Sequence, residues 1–176
     1  MMESLDLHLI DLVQNAYSAD STSVGIEVHC HAEADRLIMQ VTDNGRGMSD
    51  AVLDAVERGF FSSKCDACVG LGIPLLRQTA EHCGGRFTIQ SRPGVGTRVT
   101  AEFQRSHVDL PPLGDLTATF LNLFVTAEGR RVSISYRCDE HCLEIDTTTV
   151  ADLIGELPLQ HPDVIRFLKG YIEERV

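Results

Sequence analysis

Apolar residues recur at helical spacing over 5–19 (LDLHLIDLVQNAYSA), where Leu9, Leu12, Val13 and Ala16 share a face without interruption by glycine or proline. The pattern then changes to alternation. TSVGIEVHC (22–30) and RLIMQVTD (36–43) predict two strands, with HAEAD turning between them. DNGRG (43–47) breaks the second strand, and a short helix is expected at 49–57 with Ser49 as its N-cap. Residues 57–70 have no period and read as a loop. LGIPLLRQTAEHC (71–83) predicts a helix that accepts Pro74 in its first turn, and Gly84 and Gly85 supply its stop. RFTIQSR (86–92) and TRVTAEF (97–103) alternate around PGVG as an antiparallel hairpin does. Helices and strands in this order predict a layered α/β sandwich.

HVDLPPLG (107–114) marks the expected boundary between a first domain, 1–106, and a C-terminal α/β extension, 107–176. The extension reads as a helix at 115–127, strands at 130–137 and 142–147, and helices at 148–155 and 161–174. About seventy residues are marginal as an independent domain. The extension is therefore expected to pack on the first sheet or to offer a surface to a partner or a second copy. Phe167, Leu168, Tyr171 and Ile172 form one candidate face.

Composition narrows the class of protein. With 43% of residues apolar and 23% charged, wholesale disorder is excluded. A formal net charge of -11 leaves no basic surplus for non-specific nucleic-acid binding, yet it does not forbid one bound nucleotide, because a nest of backbone N–H groups with a metal ion can hold phosphates in an acidic protein. No 18-residue apolar run is present to span a membrane. The first residues, MMESLDLHLIDL, lack the basic start and cleavage site of a signal peptide. Together with six cysteines in 176 residues, this points to a reducing, cytoplasmic setting.

Four segments carry candidate chemistry. Asp11 and Asn15 are four apart on the first helix and share a face. In VTDNGRGM (41–48) a carboxylate, Asp43, ends an apolar strand, and Gly45 and Gly47 permit a tight turn and close approach of a ligand. VGLGI (69–73), with Gly70, Leu71 and Gly72, precedes a helix whose start favours anions. GVGT (94–97) closes the set. No GxxxxGK[ST] loop occurs, and no GxGxxG joins a strand to its helix.

In this order the segments resemble the GHKL family, which includes gyrase, Hsp90-like chaperones, histidine kinases and MutL-type proteins. DLVQNAYSA (11–19) is similar to the family's N box and DNGRGM (43–48) to its first glycine box. FFSSK (60–64) with VGLGI resembles the ATP lid and second glycine box, and GGRFTIQSRPGVGTRVTAEF (84–103) the closing hairpin. The resemblance implies a two-layer Bergerat-type sandwich of helices on a mixed, largely antiparallel sheet. It implies ATP as ligand and Asn15 as the magnesium ligand. Asp43 would meet adenine, with Gly45, Gly47 and Met48 lining the base pocket. Gly70 and Gly72 would bound the phosphates, Lys64 would reach them from the lid, and Thr97 would support Asp43.

Asp11 stands where hydrolytic members of the family carry Glu, and kinase-type members are acidic there too. It is the candidate catalytic residue. With six residues before Leu7, no dimerisation helix with an acceptor histidine is expected upstream, and His8 reads as a surface or packing residue. The expectation is a histidine kinase-like Mg-ATP-binding module that regulates or phosphorylates a protein partner. The alternatives are a weak ATP hydrolase driving a conformational switch and a non-catalytic nucleotide-binding regulator. Cys65 and Cys68 (CDAC), with Cys138 and Cys142 (CDEHC), have the ligand types of a zinc or iron–sulphur site, against a redox dithiol or unlinked thiols. Cys30 and Cys83 are expected to pack in the core.

Overall fold

The computed structural model describes residues 3–57 and 72–176. Six strands form one sheet. They are β1 (Ser23–His31), β2 (Arg36–Asp43), β3 (Arg86–Arg92), β4 (Gly96–Gln104), β5 (Arg131–Cys138) and β6 (His141–Asp146), in spatial order β3-β4-β2-β1-β5-β6. Every neighbouring pair is antiparallel except β1 and β5. The helices are α1 (Leu5–Ser18), α2 (Asp50–Glu57), α3 (Gly72–His82), α4 (Leu116–Val125), α5 (Thr147–Ile154) and α6 (Pro162–Glu173). This is the expected fold class: helices on a mixed, largely antiparallel sheet, with further helices toward the C-terminus.

Alternation along each strand builds the core. Val24, Ile26 and Val28 of β1 are buried, as are Leu37, Met39 and Val41 of β2. Register places Ile26 opposite both Val41 and Ile134, and Met39 opposite Ala101, so one face of the sheet is a continuous apolar surface. Leu9, Leu12, Val13 and Ala16 of α1 belong to that buried core, as the helical period predicts. Phe120 and Phe124 of α4 extend the same core beside β5.

The segment after β4 is tied to the start of α1. Leu5 and Asp6 donate backbone hydrogen bonds to Pro112 and Leu113. The buried Asp6 carboxylate accepts from the backbone N–H of Asp115 at 3.1 Å and the hydroxyl of Thr119 at 3.2 Å. Gly114, with φ of +86°, lies against that carboxylate, where an added Cβ would sit 2.1 Å from an oxygen. A side chain there would displace the anchor of α4. His8 is a packing residue, 1% exposed, and neither ring nitrogen has a hydrogen-bond partner among the described residues. Burial lowers its pKa.

The cysteine readings need correction. Cys30 and Cys138 form a disulfide, with their Cα atoms 4.6 Å apart. They lie one step beyond His29 and Arg137, the last paired residues of the parallel β1–β5 ladder, so the two sheet halves meet side by side at this point. Cys138 is therefore not a metal ligand, because its sulphur is not free as a thiolate, and Cys30 is not a packed thiol. Cys142 is an exposed free thiol and Cys83 a buried one. No group of three or more potential ligands converges among the described residues. Cys65 and Cys68 lie outside the described residues.

The disulfide joins cysteines 108 positions apart in the sequence. Its reduction, or Cys138→Ser, is expected to lower unfolding free energy by about 2–4 kcal/mol while leaving the fold intact. Urea melts with and without reductant check this.

Candidate functional site

A pocket opens between α1 and the end of the sheet where β2 stops and β4 begins. Asn15 and Ala16 line it from α1, Asp43, Gly47 and Met48 from the end of β2 and its following loop, and Thr97 from β4. Leu12, Val41, Val99 and Ile73 supply apolar walls. Five of the residues singled out from sequence thus meet in one cavity.

Backbone constraints shape the loop after β2. Asn44 reaches back to the start of β1, its side-chain oxygen accepting from the N–H groups of Thr22 and Ser23, both at 2.9 Å. Arg46 N–H donates to Ala19 at the end of α1, and Gly94 N–H donates to Arg46. Gly47 has φ of +65°, and a Cβ there would lie 2.0 Å from the carbonyl oxygen of Arg92. Gly96 has φ of +126°, and its Cβ would lie 2.0 Å from the carbonyl oxygen of Asp43. Both are required glycines, since a side chain would separate the loop from the hairpin. Gly45 does not line the cavity. Its N–H instead donates to the Asp43 carboxylate at 2.7 Å.

Asp43 and Thr97 are direct partners across β2 and β4. Burial raises the Asp43 pKa above its ordinary value, opposed by the backbone N–H groups of Gly45 and Thr97 that donate to it. The group offers hydrogen-bond acceptors on an otherwise apolar wall, suited to an amine on a planar ring. Asn15 Nδ2 is buried without a hydrogen-bond partner among the described residues. An amide with an unused polar end beside a cavity fits a polar ligand, and its oxygen belongs to the hard-donor class that magnesium takes.

Asp11 does not line the pocket. Its carboxylate lies against Gly72 at the first turn of α3, where a Cβ would overlap an oxygen at 1.4 Å. Gly72 therefore permits the approach of α3 to α1 rather than lining the cavity itself. Burial raises the Asp11 pKa, which makes it a stronger base than an exposed aspartate. Lys64, Gly70 and Leu71 lie outside the described residues.

The model of the histidine kinase-, DNA gyrase B- and HSP90-like ATPases matches residues 3–107. The chain belongs to this family. Its ATP-binding domain is homologous to those of sensor histidine kinases. It is 37% identical over 92 residues to the sensor protein kinase FleS of Pseudomonas aeruginosa, covering 52% of this chain and 23% of that protein. The C4-dicarboxylate transport sensor protein DctB of Rhizobium meliloti is 32% identical over 104 residues, 58% of this chain and 16% of its own. The sensor histidine kinase ZraS of Salmonella typhimurium is 32% identical over 93 residues, covering 52% and 20%. The match spans about a fifth of these relatives. No helix among the described residues is long and apolar enough to cross a membrane.

Sequence reasoning missed Ser91 of β3 and the role of Asn44. Ser91 Oγ accepts from Met48 N–H at 2.8 Å and contacts Thr97 Oγ1 at 2.8 Å. The hairpin register pairs Ser91 with Thr97, a signal available once the turn had been placed.

The two hairpin-turn glycines separate crowding from backbone strain. Gly96→Ala is expected to destabilise by at least about 2 kcal/mol, from collision and strain together. Gly94→Ala, with φ of +71° but nothing within 4 Å of its Cβ, should cost only about 1 kcal/mol. Equilibrium urea unfolding of the two variants measures the difference.

Proposed function

We propose that this domain binds Mg-ATP in the pocket between α1 and the β2–β4 end of the sheet, and serves a histidine kinase-like protein that phosphorylates or regulates a protein partner. The observation that carries the reading is the Asp43 carboxylate beside Thr97 among apolar walls, with Asn15 lining the same cavity. In this reading Asp43 accepts from the adenine amine and Met48 and Val99 pack on the ring. Asn15 holds magnesium through its amide oxygen, and the metal neutralises phosphate charge. Gly70, Leu71 and Lys64 belong to the phosphate side. Residues 1–106 form the nucleotide-binding unit, and 107–176 support it or face a partner or second copy.

Asp11 would orient or deprotonate the attacking group, with its raised pKa suiting it to proton acceptance. The same feature favours one second reading, a weak ATP hydrolase in which that group is water. Incubation with labelled ATP separates the two: labelled protein indicates transfer, and labelled phosphate lost in Asp11→Asn indicates hydrolysis.

Calorimetry with magnesium should detect ATP binding below millimolar ligand, and Asn15→Ala should remove its magnesium dependence. Absence of binding at millimolar ATP ends the reading.

A raised folded-state pKa means that Asp43 contributes stability below its unfolded value and loses it as pH rises through the raised one. Asp43→Asn is therefore expected to melt higher at neutral pH, with the gain vanishing in acid. The same variant should bind ATP at least about tenfold more weakly, because an amide has one acceptor oxygen and cannot serve both the Gly45 N–H and the amine. In the unaltered protein, ATP affinity should fall as pH drops through the raised value. Melting curves and titrations across pH test both signs.

A further inference from the structure

We propose that Ser91 sets the hydrogen-bond polarity of the pocket, holding the Thr97 hydroxyl as an acceptor so that the site selects a base with an exocyclic amine over one with a carbonyl there. The inference rests on the reading of this pocket as the ATP site. It adds a specificity-determining residue that does not itself line the cavity.

The argument is a count of protons. Ser91 Oγ makes three contacts: Met48 N–H at 2.8 Å, the Gly96 carbonyl oxygen at 3.1 Å and Thr97 Oγ1 at 2.8 Å. A hydroxyl carries one proton and two acceptor sites. The backbone N–H can only donate, and the carbonyl can only accept. All three contacts are satisfied in one arrangement alone. Ser91 accepts from Met48, donates to Gly96 and accepts the proton of Thr97.

That arrangement has a consequence inside the cavity. Thr97 lines the pocket and Ser91 does not. With its proton directed at Ser91, Thr97 presents only lone pairs to a ligand or to a water beside it. The ladder partner of Thr97 is Asp43, which is acceptor-only when ionised. Two neighbouring acceptors match an amine, which has two protons to give. They oppose a carbonyl, whose lone pairs would face theirs in a site where unpaired polar groups are costly. Ser91 is thus a positioning residue acting through Thr97. It also fastens the loop at Met48 to the hairpin, linking the shape of the pocket to its polarity.

The test compares ATP with inosine triphosphate, which replaces the amine by a carbonyl, makes the adjacent ring nitrogen a donor and lacks the further amine of guanine. Calorimetry with magnesium gives both affinities for the wild-type protein and for each variant. The wild type should prefer ATP by more than about tenfold. Ser91→Ala frees Thr97 to donate, so the preference should fall about five- to tenfold, chiefly because inosine triphosphate gains. Ser91→Thr keeps the hydroxyl and should keep the preference. In a Thr97→Val background, Ser91→Ala should leave the ratio unchanged, because no hydroxyl remains to be oriented. If Ser91→Ala does not fold, Ser91→Cys, whose thiol is a poor acceptor, must shift the ratio in the same direction. Equal weakening of both nucleotides in Ser91→Ala, or the same shift without Thr97, overturns the proposal. A wild type that binds neither nucleotide, or both equally, overturns the adenine site and this inference together. A wild-type preference for ATP that persists in Ser91→Ala removes only the role of Ser91.

Discussion

The loop leaving β2 crosses the β3–β4 hairpin at a distance that excludes side chains, and the candidate site depends on that crossing. Gly47 presses on the carbonyl of Arg92, while Gly96 presses on that of Asp43. Between the two contacts, Met48 N–H finds Ser91 and Asp43 lies level with Thr97. A Cβ at either glycine would move one backbone away from the other and would break the hydrogen bonds that connect them. Asn44 and Arg46 fix the other side of the loop to β1 and to the end of α1. The pocket is therefore held by backbone from four elements, with few flexible side chains in its frame.

Within this frame the acidic groups have separate environments. Asp43 and Asp11 are both held above their ordinary pKa by burial, at an unfavourable cost to the ionised protein. Asp43 is partly compensated by two backbone donors, and Asp11 lies against the first turn of α3. Asp6 is buried more deeply, yet it is surrounded by donors from the segment leading into α4. Its chemistry is structural: a fixed acceptor that ends one connection and starts a helix. Such polar groups persist for different reasons, and burial alone does not identify the functional one.

Local pattern exposed much of this arrangement. The alternation in RLIMQVTD ends at Asp43, so the position of the carboxylate at a strand terminus was readable from the chain. The i, i+4 spacing of Asp11 and Asn15 placed them on one helix face, although only Asn15 turns into the pocket. Non-local register was not readable. Nothing near Cys30 announces that β5 will run parallel beside β1, and CDEHC looks like a ligand cluster until Cys138 finds Cys30. Asp6 reads as an ordinary first-turn acid because its partners, Asp115 and Thr119, are more than a hundred residues away. Ser91 was hidden for a different reason, since it acts on a pocket residue rather than on the pocket.

The parallel pairing of β1 with β5 also orders events during synthesis. Until residue 131 and its neighbours emerge, β1 is the border of a four-stranded sheet, with its N–H and C=O groups open along the whole of Ser23–His29. That border carries Val24, Ile26 and Val28, an apolar β-branched row of the kind that recruits foreign strands. A nascent chain that already contains every piece of the nucleotide pocket is still an unfinished sheet. The segment beyond residue 107 supplies β5, the strand that covers this edge of β1.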